Sequence, residues 1–474
     1  MIQQRTRKTI ALVAIFGMMA GCVVPREAGF PDVSQTVRQR TGYEVQWIRG
    51  EAEDALVAAA VATLLSDSLA VEAAVQIALL NNRRLQATYE NLGVAQAEVV
   101  QAGLLRNPIF GGGAAWPLEG GGSPDLAFSV AFDFLGALTI PLRRSVATSA
   151  FEAEKARVSE AVLNLAAQVR TGYYRAQADA QLLELMAQVL QAGEAGYLTA
   201  QRLREAGNIR TLDLLNEQAQ LEQARLDSEA ATTALMQNRE RLNRLMGLAD
   251  GQTTWRLPPR LQEVPETVLE PADIAALALE TSFGLEAQRH DIETYGRRMG
   301  LANVTSLVPD LEVGAGLERE GGEWELGPEV EIVLPLFDQG QARRAAGIAE
   351  LRRRRAEYVA LAVETQSIAR AAHQQLMAAR RAALRYQNVV VPLRSRITRE
   401  TQLQYNAMQL GVFQLLQTRQ MEIEAGRRYV EALYDFWRAR TAVDLLIQGG
   451  MPESVTSFHP PGMNSSTTIH AGGH

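Results

Sequence analysis

The chain has one cysteine, Cys22, in 474 residues, so it can form no intramolecular disulfide. It has no basic excess. A formal net charge of -7 argues against a nucleic-acid partner. Nothing beyond the first residues is an apolar run of about 18, the length a spanning helix needs. If the chain crosses a membrane, it must cross as strands. Catalytic signatures are missing too: there is no phosphate-cradling loop, no nucleophile with a plausible base and no Cys/His metal spacing, so no enzyme and no cofactor are expected. Proline is absent from Leu142 to Glu205, a stretch dominated by Ala, Leu, Gln, Glu and Arg.

What is present is said twice, about 200 residues apart. An apolar-periodic helix closes around Leu79 to Leu85, Asn107-Pro108 opens a Gly-rich stretch, an alternating strand follows, and Arg143-Arg144 begins a long helix. The second half answers with Leu279 to Leu285, Val308-Pro309, a strand ending at Pro335, and Arg343-Arg344. A constant offset through helix, hairpin and helix implies a duplicated supersecondary unit. Any pore, face or interface should then be built from both copies.

The N-terminus sets the compartment. Arg5, Arg7 and Lys8 precede the apolar stretch Thr9 to Met19 and the small pair Ala20-Gly21, the pattern of a cleaved export signal. Met19-Ala20-Gly21-Cys22 resembles a bacterial lipobox, although Met19 replaces the usual leucine. That resemblance implies a covalent lipid at Cys22, and several acyl chains at ~0.8 kcal/mol per buried CH₂ would anchor the protein without a membrane helix. The competing reading is a chance cysteine in an ordinary signal. Val23 after the cysteine, rather than Asp, leaves such a lipoprotein free to reach the outer membrane.

Helical spacing recurs in Val162, Leu165, Val169 and Tyr173, and again in Leu182, Leu185 and Val189. Sixty-odd residues at ~1.5 Å rise give a rod of roughly 95 Å. A second rod is expected over Arg343 to Ala407. Shorter helices precede each rod, Ser68 to Leu105 and Ala272 to Thr305, and others follow, Leu212 to Leu248 and Gln414 to Gln448. One preceding plus one following helix matches a rod in length, which suggests paired antiparallel coiled coils. Pro392, inside the second rod, should kink it or end it.

The strands alternate. Leu126, Phe128, Val130, Phe132 and Phe134 share one face, with Asp125, Ala127, Ser129, Ala131 and Asp133 opposite. In the second copy Trp324, Leu326, Val330, Ile332 and Leu334 oppose Glu325, Gly327, Glu329 and Glu331, while Leu311, Val313, Ala315 and Leu317 oppose Glu312, Gly314, Gly316 and Glu318. This is the period of a strand with one apolar and one polar side. Glu119 to Ser123 and Glu320-Gly321-Gly322 read as hairpin tips. Two hairpins cannot close a barrel, and lipid forbids open edges, so several chains must pool strands. Four strands from each of three chains give twelve. The alternative is a lipid-anchored periplasmic coiled-coil scaffold with no pore, its apolar strand face packed on the helices.

With these features in order and twice over, the chain resembles the TolC family of outer-membrane efflux channels. Pro335-Leu336-Phe337-Asp338-Gln339-Gly340 followed by Arg343 is similar to the family's strand-to-helix signature. Ala206-Gly207-Asn208-Ile209 with Leu212, Asp213, Leu214 and Leu215 resembles the tip joining its long and short periplasmic helices, and Ala78-Leu79 with Asn81-Asn82 and Asn107-Pro108 resembles its opening helix and first strand. The resemblance implies a mainly α protein with β: an internally duplicated chain whose antiparallel helices form an α-barrel and whose hairpins join a homotrimeric twelve-stranded β-barrel. It further implies a passive duct of a tripartite efflux system, docked to a periplasmic adaptor and an inner-membrane pump, for metal ions or small toxic compounds.

Sites follow from these readings. Asp133, Glu312, Glu318, Glu325, Glu329 and Glu331 would face the barrel lumen and favour cations. Their alternation accounts for them without catalysis. Trp116 and Trp324 would sit near the membrane interface or simply pack. By resemblance the tip carries gate and docking surface, with Gly207, Arg210 and Asp213 in the first turn and Gly411, Gln414 and Gln417 in the second. Tyr405 to Gly411 puts its glycine about three residues late, and amides at 414 and 417 stand where some family members carry aspartates. His459, His470 and His474, with Met451 and Met463 nearby, could hold a soft metal. His290 and His373 are isolated. The expected organisation is a signal over 1–21, a lipid-anchored segment over 22–67, repeats over 68–250 and 271–450 joined by a linker over 251–270, and a disordered tail over 451–474.

Overall fold

In the computed structural model the described residues are 24–116, 124–249, 251–266, 273–307, 311–320, 323–333 and 336–452. The export signal, Cys22, both hairpin tips, Pro335, His459, His470 and His474 lie outside them. The elements run α1 (Phe30–Thr41), α2 (Glu51–Leu65), α3 (Val71–Asn81), α4 (Arg83–Ala102), β1 (Ile109–Ala115), β2 (Asp125–Asp133), α5 (Phe134–Leu138), α6 (Ile140–Glu205) and α7 (Thr211–Met246). The second copy supplies α8 (Ile274–Thr281), α9 (Phe283–Leu307), β3 (Leu311–Glu320), β4 (Glu323–Ile332), α10 (Gln341–Arg385), a π-turn (Tyr386–Val390), α11 (Val391–Asn406) and α12 (Val412–Gln448).

Two compact units divide the described residues, and neither coincides with a repeat. The first takes the described parts of Met1–Gln35, Ala87–Ser159 and Phe283–Ala362; the second takes those of Thr36–Gln86, Glu160–Ser282 and Val363–His474. Each draws on both copies.

In the first unit, small residues let helices approach closely: Ala153, Ala156 and Val158 of α6 are buried with Tyr89 and Leu92 of α4. Phe30 meets the Tyr89 ring edge-on at 5.0 Å. Lys155 reaches Asp32 at 2.9 Å and Glu152 at 2.8 Å. Arg157 pairs with Asp291 of α9. The strands form one antiparallel sheet in the order β1-β2-β3-β4, so the β2–β3 pairing joins the two copies. The alternation read through Phe134 runs one residue too far. Asp133 accepts the Gly136 N–H at 2.5 Å and caps α5, turning Phe134 into the first residue of a helix.

In the second unit the core holds Leu69, Ile77, Leu79, Val162, Leu163, Leu242, Met246, Phe436 and Leu446. The segment after α7 is strapped down rather than free. Leu69 N–H donates to Arg256 O at 2.8 Å, Trp255 Nε1 to Asn243 Oδ1 at 2.7 Å, and Gln177 Nε2 to Arg260 O at 2.7 Å.

The helices expected before each rod are each broken in two, at Asn82 and at Ser282. The cause is tertiary. Gly247 ends α7 with φ 68°, and Asn81 Nδ2 donates to Gly247 O at 2.7 Å while Asn82 Nδ2 donates to Leu245 O at 2.8 Å. Asn82 Oδ1 then accepts from Leu85 N–H at 3.0 Å and starts α4. The second copy repeats the arrangement. Gly449 ends α12 with φ 101°, Thr281 Oγ1 donates to Leu446 O at 3.3 Å, and Arg40 of α1 clamps Thr281 O at 2.7 Å and Gln448 O at 2.8 Å.

Pro392 neither ends nor breaks the second rod. The π-turn Tyr386–Val390 precedes it, with Val391 N–H bonded back to Tyr386 O, so the wider turn absorbs the ring and the missing donor. The 22–67 segment, read as an anchor, contains α1 and α2.

Candidate functional site: a two-faced sheet and a helical tip

Register places every sequence-predicted lumen residue on one face of the sheet. Directly opposed residues share a face, and Asp133 opposes Glu312, which opposes Glu331. Ala127 opposes Glu318, which opposes Glu325, and Ala131 opposes Gly314, which opposes Glu329. Like charges directly across from one another repel, so this face is built for water or for cations rather than for packing. It is also concave. A hollow of about 460 Å³ lies on it, floored by Gly111, Gly113, Gly316 and Gly327 and bordered by Glu318, Glu325 and Glu329.

The other face carries Phe110, Phe128, Val130, Phe132, Val313, Leu317, Trp324, Leu326 and Val330. Phe128 stacks on Phe110 at 6.3 Å and on Trp324 at 6.4 Å, and the Arg319 guanidinium lies over the Trp324 ring. Nothing among the described residues covers this face: Leu326 is 76% exposed, Val330 64% and Phe132 54%. A scaffold sheet packed on its helices would bury these side chains. Strands of seven to ten residues, apolar on one face and acidic on the other, suit a bilayer wall. Trp116, beyond β1, is exposed and Trp324 packs within the apolar face.

The strand-to-helix signature builds a tight turn. Asp338 Oδ1 accepts the Gly340 N–H at 2.9 Å and Asp338 Oδ2 lies 3.3 Å from Arg343, so the carboxylate fixes both the turn and the first coil of α10.

The tips are the second candidate region, and the structure shows what stands where the second glycine is late. In the first turn Gly207 (φ 76°) follows α6, with Gly207 N–H on Arg204 O and Asn208 N–H on Leu203 O. In the second, Met408 (φ 57°) follows α11 with the same pair of bonds, Met408 N–H on Tyr405 O and Gln409 N–H on Gln404 O. Met408, then, not Gly411, is the counterpart of Gly207. Gly411 instead matches Arg210: both cap the next helix in extended conformation, φ -80° and -79°. The late glycine is no displaced turn. A non-glycine side chain simply occupies the left-handed position.

That position costs an L-residue roughly 1–2 kcal/mol, partly offset by the greater unfolded freedom of glycine. Met408→Gly should therefore stabilise the tip by about 0.5–1 kcal/mol, read as slower amide exchange around residues 404–412. Unchanged or faster exchange there would show that Met408 is not strained.

Asp213 and Gln414 occupy equivalent positions in the first turn of the following helix, with different chemistry. Asp213 accepts from the Arg210 backbone N–H at 3.1 Å and from its guanidinium at 3.2 Å. The Arg210 guanidinium holds the Asp213 carboxyl below the usual carboxylate range. Gln414 and Gln417 are exposed one turn apart on α12. Deeper in, Gln420 Nε2 donates to Gln220 Oε1 at 3.0 Å, a contact between the two copies that sequence reading had not singled out.

No cluster of three or more metal-ligating side chains occurs among the described residues. His290 Nδ1 lies 3.5 Å from Glu293 on its own helix, and His373 Nε2 is buried without a partner among the described residues.

Comparison with known proteins agrees with this geometry. The sequence profile of the outer membrane efflux protein family matches residues 74–248. The cobalt-zinc-cadmium resistance protein CzcC of Cupriavidus metallidurans is 23% identical over 389 residues, 80% of this chain and 90% of that protein. Two solved folds superpose at 15–16% identity with a TM-score of 0.65: CusC, whose structures concern folding and transmembrane channel formation, covering 80% of this chain and 92% of that one, and the outer membrane protein VceC of Vibrio cholerae, covering 80% and 96%.

Proposed function

We propose that this chain, matched over residues 74–248 by the profile of the outer membrane efflux protein family, is the passive outer-membrane duct of a tripartite export system. Three copies pool four strands each into a twelve-stranded barrel. The helices line a periplasmic conduit whose tips meet an adaptor protein and, through it, an inner-membrane pump. Cys22 holds the acyl anchor in the outer membrane.

One observation carries this reading: among the described residues an uncovered apolar sheet face backs onto a concave acidic one, and β1 and β4 each have a partner on one side only. Such a sheet satisfies its edges and both faces only in a closed barrel between lipid and water. The cargo we infer is cationic, divalent metal ions among them. Threefold repetition of Glu318, Glu325 and Glu329 supports it, as does the metal-resistance role in the name of the Cupriavidus relative.

Planar-bilayer recording tests the proposal. The wild-type trimer should conduct and prefer cations, and Glu318→Gln with Glu325→Gln should lower that preference several-fold without abolishing conductance. A wild-type protein that never conducts would be the lipid-anchored scaffold without a pore instead. At the tip, Gln414 and Gln417 are proposed to close the duct through a ring of amide hydrogen bonds, where acids would have bound cations.

A further inference from the structure

Where β2 gives way to α5, a cavity of about 360 Å³ opens against the end of α9, lined by Arg106, Asp133, Gly136, Thr139, Arg143 and Arg298. Three guanidinium groups share it with one carboxylate. That carboxylate is already committed: Asp133 Oδ2 lies 3.0 Å from Arg106 and Oδ1 accepts the Gly136 N–H. Arg143 is held in place by carbonyls, its Nη2 donating to Gly136 O at 3.0 Å and to Leu104 O at 3.3 Å. Carbonyls orient a cation without neutralising it. Its Nε is shielded from solvent and has no partner among the described residues. Arg298 makes no ion pair among them either, and its side chain is exposed at the cavity.

Two cations brought together without a counter-ion repel unless an anion joins them. We propose that this cavity binds a phosphate group. Planar guanidinium forks match tetrahedral phosphate oxygens by paired charge-assisted bonds, and the volume admits a phosphodiester with its substituent, far more than a halide needs. The source is a lipid headgroup or free phosphate. Position favours free phosphate, because the cavity is lined by Asp133, whose side chain stands on the acidic face that the duct turns toward water rather than lipid; this preference alone rests on the membrane-spanning reading. Among the described residues the second copy shows no matching site: there Asp338 takes up Arg343, the counterpart of Arg143.

The test uses the full-length trimer in two arms: inorganic phosphate titrated into delipidated protein in detergent, and phosphatidylglycerol retention in nanodiscs followed by native mass spectrometry. Arg298→Gln is the primary variant because it removes an exposed, unpaired side chain that folding does not need. Arg344→Gln, outside the cavity, is the control. Binding in at least one arm should weaken about tenfold in Arg298→Gln and stay unchanged in the control. Sensitivity in the nanodisc arm alone identifies a lipid headgroup, and sensitivity to inorganic phosphate in detergent identifies free phosphate. Equal binding by wild type and Arg298→Gln in both arms overturns the site. Conductance, recorded separately, reports on the duct and is indifferent to that outcome.

Discussion

Val130→Arg should abolish the heat-modifiable trimer in outer-membrane extracts and all single-channel conductance, while Ala127→Arg, three residues earlier, should leave both intact. The two positions differ only in face. Val130 stands in a row with Phe110 and Ala315 on the apolar side; Ala127 stands beside Glu318 and Glu325 on the acidic side. An arginine on the lipid face near the bilayer midplane costs about 2–4 kcal/mol per copy, and three copies put three in one barrel, roughly 6–12 kcal/mol if the costs add. At position 127 the same guanidinium meets a directly opposed glutamate and should reduce cation preference instead. Equal trimer yields from the two variants would mean that the apolar face does not meet lipid.

The other large effect belongs to the second unit. A Cβ at residue 449 would lie 2.2 Å from Thr281 O and 2.3 Å from Arg40 Nη1, at a backbone angle that L-residues avoid. Gly449→Ala therefore has to shift the α8–α9 break, the Arg40 clamp or the end of α12. Left-handed strain of about 1–2 kcal/mol and overpacking of about 1–3 kcal/mol together predict a loss of roughly 2–5 kcal/mol. Gly207→Ala is the control, since it shares the positive φ but has nothing within 4 Å of its added Cβ. Urea unfolding followed by helical circular dichroism should separate the two, the first shifting strongly and the second by the strain alone. Matching midpoints would show that the Thr281–Arg40 contact is not tight in solution.

Much of the fold was legible because its elements follow local periodicities. Alternation from Leu126 to Phe132 sorted the two faces of β2 correctly, and the proline-free stretch from Leu142 lies within α6, which starts at Ile140. What was hidden depends on partners distant in sequence. Nothing near Asn82 or Ser282 interrupts the apolar period; those breaks exist because helix ends from residues 247 and 449 press against them. At the tip the sequence put the second glycine about three residues late; what it did not show is that Met408 takes the left-handed position that Gly207 holds in the first copy. Pro392 was read as a kink or an end, and the rod does not end there because a π-turn, which leaves no mark in composition, carries it past the ring. The phosphate pocket was half visible: Arg143-Arg144 recurs as Arg343-Arg344, but only the structure shows that one copy is neutralised and the other is not.

The unpaired outer edges of β1 and β4 also set how this protein responds to dose. On the proposed trimeric reading a lone copy has no satisfied state in hydrocarbon, and neither has a pair, so the inserted form would appear only when three subunits meet. At low abundance the amount of channel should climb with roughly the cube of the free subunit concentration. A modest rise in synthesis then turns export on abruptly, and a minority of subunits with a damaged edge strand would silence far more than their own share of pores.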